Sequence, residues 1–248
     1  MLNAESGTLG ADTVSTDARP VRLLLFDIDG TLILTGGAGK RAMTRALADT
    51  HGIEDGLSAV DVAGRTDRLI LRDALRLAGH EYTDDALAEF RRVYRRYLQE
   101  EIPKRGTGGY GVLPGVKALL DALAARDDVE LALLTGNFPE SAEIKLAAFG
   151  LWEYFAWGVF GDEAFDREHL MPIALARHAE RQARPVDPAQ VVVIGDTPHD
   201  ISCARHGGAR VVAVATGHYD VQALERCNPD ALFPDLAQTD HILRALLA

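Results

Sequence analysis

Val21-Arg22-Leu23-Leu24-Leu25-Phe26-Asp27-Ile28-Asp29-Gly30-Thr31-Leu32 runs apolar for most of its length and then breaks into two acids, a glycine and a threonine. Such a run, without strict alternation, reads as a strand buried on both faces in a parallel sheet. Open parallel sheets carry their reactive groups in the crevice beyond the carboxyl ends of the strands. Asp27 and Asp29 fall at that end. On an extended chain residues i and i+2 point the same way, so both carboxylates can face one point. Two acids that close repel each other, and they invite a divalent cation or a shared proton. Taken alone, the same residues also read as a turn that closes a strand. Partners further down the chain decide between the two.

The totals bound the remaining choices. A chain of 248 residues accommodates one large α/β domain, or a core with a modest insertion. With 47% hydrophobic and 25% charged residues the composition is that of a globular protein. No apolar run approaches the roughly 18 residues of a membrane helix, so no membrane partner is expected. The N-terminus lacks a basic-then-apolar secretion signal, and Met1 to Arg19, small and polar, reads as a disordered leader. Cys203 and Cys227 make neither a disulfide framework nor a zinc site, and a reducing cytoplasm is the simplest compartment. The net charge of −11 argues against a nucleic-acid partner. An anionic substrate would have to find a local positive centre, from a metal or from particular Lys and Arg residues.

Strand and helix alternate beyond the opening stretch, which predicts an α/β fold with a doubly wound parallel sheet. Further strands are expected at Val129–Leu134, Phe155–Phe160, Val191–Ile194 and Val211–Ala215, with a short one at Ala231–Phe233. Helices are expected at Val116–Ala125, Pro139–Ala148, from Arg167 or Glu168 to about Arg181, through Arg205, and at Asp240–Leu247. From Ala38 to about Gly109 the pattern is helical, with helices at Ala38–Ala48, Thr66–Ala78 and from Thr83. The pairs Arg91-Arg92 and Arg95-Arg96 read as the last one's solvated face, with a substrate-facing use as the alternative. The expected division is a core of residues 20–36 and 112–248 with a small helical insertion at 37–111. Two glycine-rich stretches mimic phosphate loops. Gly36-Gly37-Ala38-Gly39-Lys40 lacks the Gly six residues before the Lys and the Ser or Thr after it; Gly106–Gly111 matches G-x-G-x-x-G without following a strand or opening a helix. Both read as flexible connections.

Three strand ends carry polar groups that a core strand does not need: Asp27 and Asp29, then Thr135-Gly136-Asn137, then Gly195-Asp196 with Asp200. This ordered set, from about Val21 to the C-terminus, resembles the haloacid dehalogenase-like hydrolase superfamily. Asp27-Ile28-Asp29-Gly30-Thr31-Leu32 resembles its first motif, Thr135 its second, Asp196 and Asp200 its fourth; residues 37–111 are similar to its small helical cap. The resemblance implies a catalytic site in which Asp27 is the nucleophile, forming an aspartyl-phosphate, and Asp29 the general acid and then base. It implies Mg²⁺ held by Asp27, the Asp29 carbonyl and Asp196, with Asp200 as ligand or as an orienting group. Thr135, Gly136 and Asn137 would hold the phosphate.

The third motif departs from the family pattern, which has a Lys opening the helix before the fourth motif. Here that slot reads Phe165-Asp166-Arg167-Glu168-His169, and Lys145 is the sole lysine between Thr135 and Asp196. Placement favours Arg167 and residue type favours Lys145; the cation that pairs with Asp27 decides. In the insertion, Ala63-Gly64-Arg65-Thr66-Asp67 resembles the family's substrate-facing loop, with Arg65 and Thr66 as substrate-binding candidates. Thr66 reads equally as a helix N-cap. The expected activity is a Mg²⁺-dependent phosphatase acting on a small phosphorylated metabolite, similar to phosphoglycolate phosphatases. The alternatives are a sugar phosphomutase of the same fold and a non-catalytic phospho-acceptor module.

Overall fold

The computed structural model describes residues 21–248; the leader expected at residues 1–19 lies outside them. Strand β1 is Arg22–Phe26, with Leu23 to Phe26 fully buried. Strands β2 (Ile33–Thr35) and β3 (Tyr110–Val112) bracket helices α1 (Ala38–His51), α2 (Asp67–Leu77) and α3 (Asp84–Glu101). Then follow α4 (Val116–Ala124), β4 (Val129–Leu134), α5 (Pro139–Ala147), β5 (Gly158–Val159), α6 (Leu170–Gln182), β6 (Val191–Gly195), α7 (Pro198–His206), β7 (Arg210–Val214), α8 (Val221–Glu225), β8 (Ala231–Phe233) and α9 (Thr239–Leu247).

Six strands form one parallel sheet in the order β5-β4-β1-β6-β7-β8. Its two faces are read off alternate residues. Leu24, Phe26, Leu131, Leu133, Val192 and Ile194 face α4, α5 and α9. Leu23, Leu25, Ala132, Leu134, Val191 and Val193 face α6, α7 and α8. Burial on both faces is why these strands read as apolar runs without alternation, and each buried Leu or Val contributes roughly 1.5–3 kcal/mol. The chain leaves β1 toward β4 on one side and returns past it to β6 on the other. The topological switch therefore lies at β1, and the crevice opens beyond Phe26.

Helices α1, α2 and α3 enclose a third apolar cluster of their own, built on Leu47, Ile70, Leu71, Phe90, Tyr94 and Leu98. Phe138, from the loop after β4, enters this cluster and meets Tyr94 edge-on. Helix starts follow local chemistry. The hydroxyl of Thr66 accepts from Leu69 N at 3.2 Å, and that of Thr83 from Ala86 N at 3.1 Å. In α7, Thr197 and Asp200 form a reciprocal capping box.

The structure corrects several readings. The stretches around Gly36 and Gly109 are not mere flexible connections: Ile33–Thr35 and Tyr110–Val112 pair antiparallel as a two-stranded ribbon. These strands are too short and glycine-rich to show a period in sequence. The strand expected over Phe155–Phe160 shortens to β5 at Gly158–Val159, preceded by a 3₁₀ turn at Trp152–Tyr154. Helix α8 was absent from the sequence reading. Arg91 is not on a solvated face: its guanidinium holds Glu140 through two bonds of 2.8 and 2.7 Å and Asp162 at 2.9 Å.

Candidate active site

β1, β4 and β6 end side by side, and each ends in a polar group. Asp27 follows β1 and is buried, with its N–H donating to Ile194 O. Arg167 opens the 3₁₀ turn before α6, and its guanidinium lies between two acids, 2.9 Å from Asp27 Oδ1 and 2.5 Å from Asp200 Oδ1. It also donates to Leu134 O and to Gly64 O, the latter in the loop before α2. Arg167 thus meets the geometric condition set for the third-motif cation. Lys145 does not: Nζ pairs with Asp29 Oδ2 at 2.6 Å and donates to Asn137 Oδ1 at 2.6 Å. It sits in the last turn of α5, yet its side chain leans back toward the helix start and is only 4% exposed.

Asp29 differs from Asp27 in environment. Its side chain is 44% exposed, against 6% for Asp27. Asn137 is the hub beside it. Its amide donates to Asp29 Oδ2 and to Thr135 Oγ1, both at 2.9 Å, while its Oδ1 takes Lys145. Its amide groups are engaged with the site's own residues.

Asp196 follows β6 and accepts from the Thr31 hydroxyl at 3.1 Å. Gly30, at φ +85°, leaves room for its carboxylate; a Cβ at Gly30 or at Gly217 would overlap Asp196 Oδ2. Asp27, Asp196 and Asp200 each offer a carboxylate oxygen, all within 4.8 Å of one another. Both oxygens of Asp200 are already engaged, Oδ1 by Arg167 and Oδ2 by Thr197 N and Oγ1. Burial raises the Asp27 carboxyl to about 6, with Arg167 pulling it down and Asp200 and Asp29 pushing it up. Burial, then Asp200 and Asp27, push Asp196 well above the usual carboxylate range. Arg167 loses some basicity to burial, but Asp200 and Asp27 more than restore it. One guanidinium among three carboxylates leaves excess negative charge, and an oxygen-only donor set suits a hard divalent cation.

The loop before α2 lies directly on this edge. Asp67 N donates to Gly136 O at 2.7 Å, and Phe138 N donates to Asp67 Oδ2 at 2.9 Å. The approach is so close that a Cβ on Gly136 would overlap the Arg65 carbonyl. Thr66 is fully buried: its hydroxyl caps α2 and donates to Phe165 O at 2.5 Å, the N-cap reading of that position. Arg65 does line the cavity, but its guanidinium is held by Asp73 Oδ2 at 2.5 Å and Asp61 O at 2.9 Å. The cavity over the acids has a volume of about 500 Å³. Sequence reasoning missed Asp67 as a buried wall acid and missed Thr216, whose hydroxyl donates to Gly30 O at 2.5 Å. Thr216 follows β7 at the same sheet edge, a placement that signals it; nothing local marks Asp67.

The haloacid dehalogenase-like hydrolase family matches residues 24–205, most of the chain. The protein is a member of that family. Its relatives include the phosphoglycolate phosphatase of Yersinia pseudotuberculosis, 25% identical over 88% of this chain and 91% of that protein. The phosphoglycolate phosphatase of Rhodospirillum rubrum is 28% identical over 87% of this chain and 88% of its own length. Among solved structures, CbbY from Rhodobacter sphaeroides in complex with phosphate superposes with a TM-score of 0.65 at 20% identity, covering 88% and 96% of the two chains. That last likeness speaks for the fold alone. In this haloacid dehalogenase-like hydrolase, Asp27, Asp29 and Asp196 lie together at the carboxyl edge of the sheet beside β1. Among the described residues no helix is long and apolar enough to cross a membrane.

Proposed function

We propose that this hydrolase is a Mg²⁺-dependent phosphatase that cleaves a small phosphomonoester through an aspartyl-phosphate. The observation that carries this reading is the pair of unequal acids lining one cavity. Asp27 is buried and held by Arg167, while Asp29, two residues on, reaches solvent and is held by Lys145 and Asn137. Arg167 occupies Oδ1 of Asp27, which leaves Oδ2 to attack phosphorus. The bond from phosphorus to the ester oxygen breaks, and Asp29 gives that oxygen its proton, releasing an alcohol. Asp29 then takes a proton from a water that attacks phosphorus, freeing Asp27 and inorganic phosphate. Thr135 and the Gly136 backbone hold phosphate oxygens. Asp27, Asp196 and the Asp29 carbonyl would hold Mg²⁺, and Asp200 would orient Arg167 and the Thr197 turn. The ion would supply positive charge that lets the anionic phosphate approach Asp27.

Residues 37–111 act, in this reading, as a cap that closes over the acids, with residues 20–36 and 112–248 as the core. The names of the phosphoglycolate phosphatase relatives support a phosphoester substrate. A cytoplasmic location fits the reading. The test is release of inorganic phosphate from a panel of phosphomonoesters with and without Mg²⁺. Asp27→Asn should abolish turnover, and Asp29→Asn should lower kcat by about 10²–10⁴. Turnover by Asp27→Asn at the native rate would exclude Asp27 as the nucleophile. Isomerised sugar phosphate without free phosphate would point to a mutase instead.

A further inference from the structure

At about 500 Å³ the cavity has room for more than a phosphate group. Asp27, Thr135 and Asp196 line it, and so do Met43, Leu57, Val62 and Ile70. These four belong to, or pack against, the apolar cluster inside α1, α2 and α3. Acids and apolar side chains on one lining suit two different parts of a substrate, a charged head and an apolar body.

The cations along the wall are already in use. Arg65 is paired with Asp73, Lys145 with Asp29, and Arg167 with Asp27 and Asp200. Among the described residues lining the cavity, Lys40 is the one Lys or Arg without an ion pair, and it is exposed to solvent. Asp67 adds a buried acid to the same wall. A leaving group bearing a carboxylate would have to shed its water beside Asp29 with no unpaired cation to receive it at depth, and an uncompensated buried charge is costly. An apolar group entering the same space exchanges its water for Met43, Leu57 and Ile70, which is favourable.

We infer that the leaving group this cavity accepts is an uncharged, largely apolar alcohol longer than glycolate, selected by the wall of Met43, Leu57, Val62 and Ile70. The inference rests on the phosphatase reading above and narrows its substrate class.

The experiment measures kcat/KM for phosphate release, with Mg²⁺, from linear alkyl phosphates from methyl to hexyl and from 2-phosphoglycolate. The alkyl series keeps leaving-group chemistry nearly constant while apolar length grows. The expected result is a rise of about two- to fourfold per added methylene, with 2-phosphoglycolate below the butyl ester. In Met43→Gln the same series should rise less steeply, a comparison made within one variant and so insensitive to its overall activity. A flat series, or 2-phosphoglycolate preferred over every alkyl ester, overturns the inference and leaves the phosphatase reading standing. A preference for 2-phosphoglycolate that disappears in Lys40→Ala would overturn it in favour of an anion read by Lys40. No phosphate released from any ester would overturn the phosphatase reading, and this inference with it.

Discussion

Arg167 lies buried between Asp27 and Asp200, and the pairing is mutual: the acids keep it charged, and it is the cation that lets two of them stay in the interior. Removing one partner of a buried pair leaves the others uncompensated. Arg167→Met should therefore cost about 3–5 kcal/mol of stability, read by urea denaturation in EDTA, with Arg167→Lys recovering part of it. Asp67 gives a pH prediction of opposite character. Burial raises its carboxyl to about 7, although Lys145 and the Phe138 N–H hold it back. The folded value lies above the ordinary 3.8, so the folded state binds the proton more tightly than the unfolded one. The stability this adds is complete below pH 3.8 and is lost as pH rises through about 7. Asp67→Asn, which keeps an oxygen for Phe138 N, should remove this decline. Melting temperatures of both proteins between pH 5 and 8 should lie nearer each other at the acid end and diverge up to about pH 7, with the variant the more stable there.

At the scale of elements, the decisive contact is between the loop before α2 and the loop after β4. Gly136 has no side chain, and that is what lets Arg65 and Asp67 come down onto it. Gly136→Ala should push the two loops apart, at a cost of about 1–3 kcal/mol, and should also open the cavity's upper wall. Hydrogen exchange would report it as faster exchange at Asp67 N, whose acceptor is Gly136 O, without a matching change in the sheet. The neighbouring Thr66 shows what only the tertiary structure could decide. Thr66 resembles both a cap and a substrate ligand in sequence, since a Ser or Thr before a helix suits either. Only its approach to Phe165 O, 99 residues away in the chain, settles which way its hydroxyl turns.

For the whole molecule, three carboxylates share one corner of the sheet edge with one guanidinium. A cation that binds this corner only in the folded state stabilises the entire chain. Mg²⁺ at a hundred times its dissociation constant should add about 2.7 kcal/mol relative to EDTA, visible as a rise in Tm. Asp196→Asn should erase most of that rise. An unchanged Tm in native protein at saturating Mg²⁺ would count against the metal site.

What could be read from the residues alone follows from locality. The doubly wound sheet was legible because a strand buried on both faces needs a continuous apolar run, and five such runs are separated by helical stretches. Asp27, Thr135 and Asp196 were legible for the same reason: each breaks such a run at its carboxyl end. The ribbon of Ile33–Thr35 with Tyr110–Val112 was not legible, because three-residue strands carry no period and their pairing spans about 75 residues. Nor could sequence choose between Arg167 and Lys145, since both are cations within reach of the same edge. Tertiary structure sends Arg167 to Asp27 and Lys145 to Asp29, because only the folded chain brings Lys145 Nζ up beside Gly39 at the start of α1 and Arg167 against Leu134 O at the end of β4.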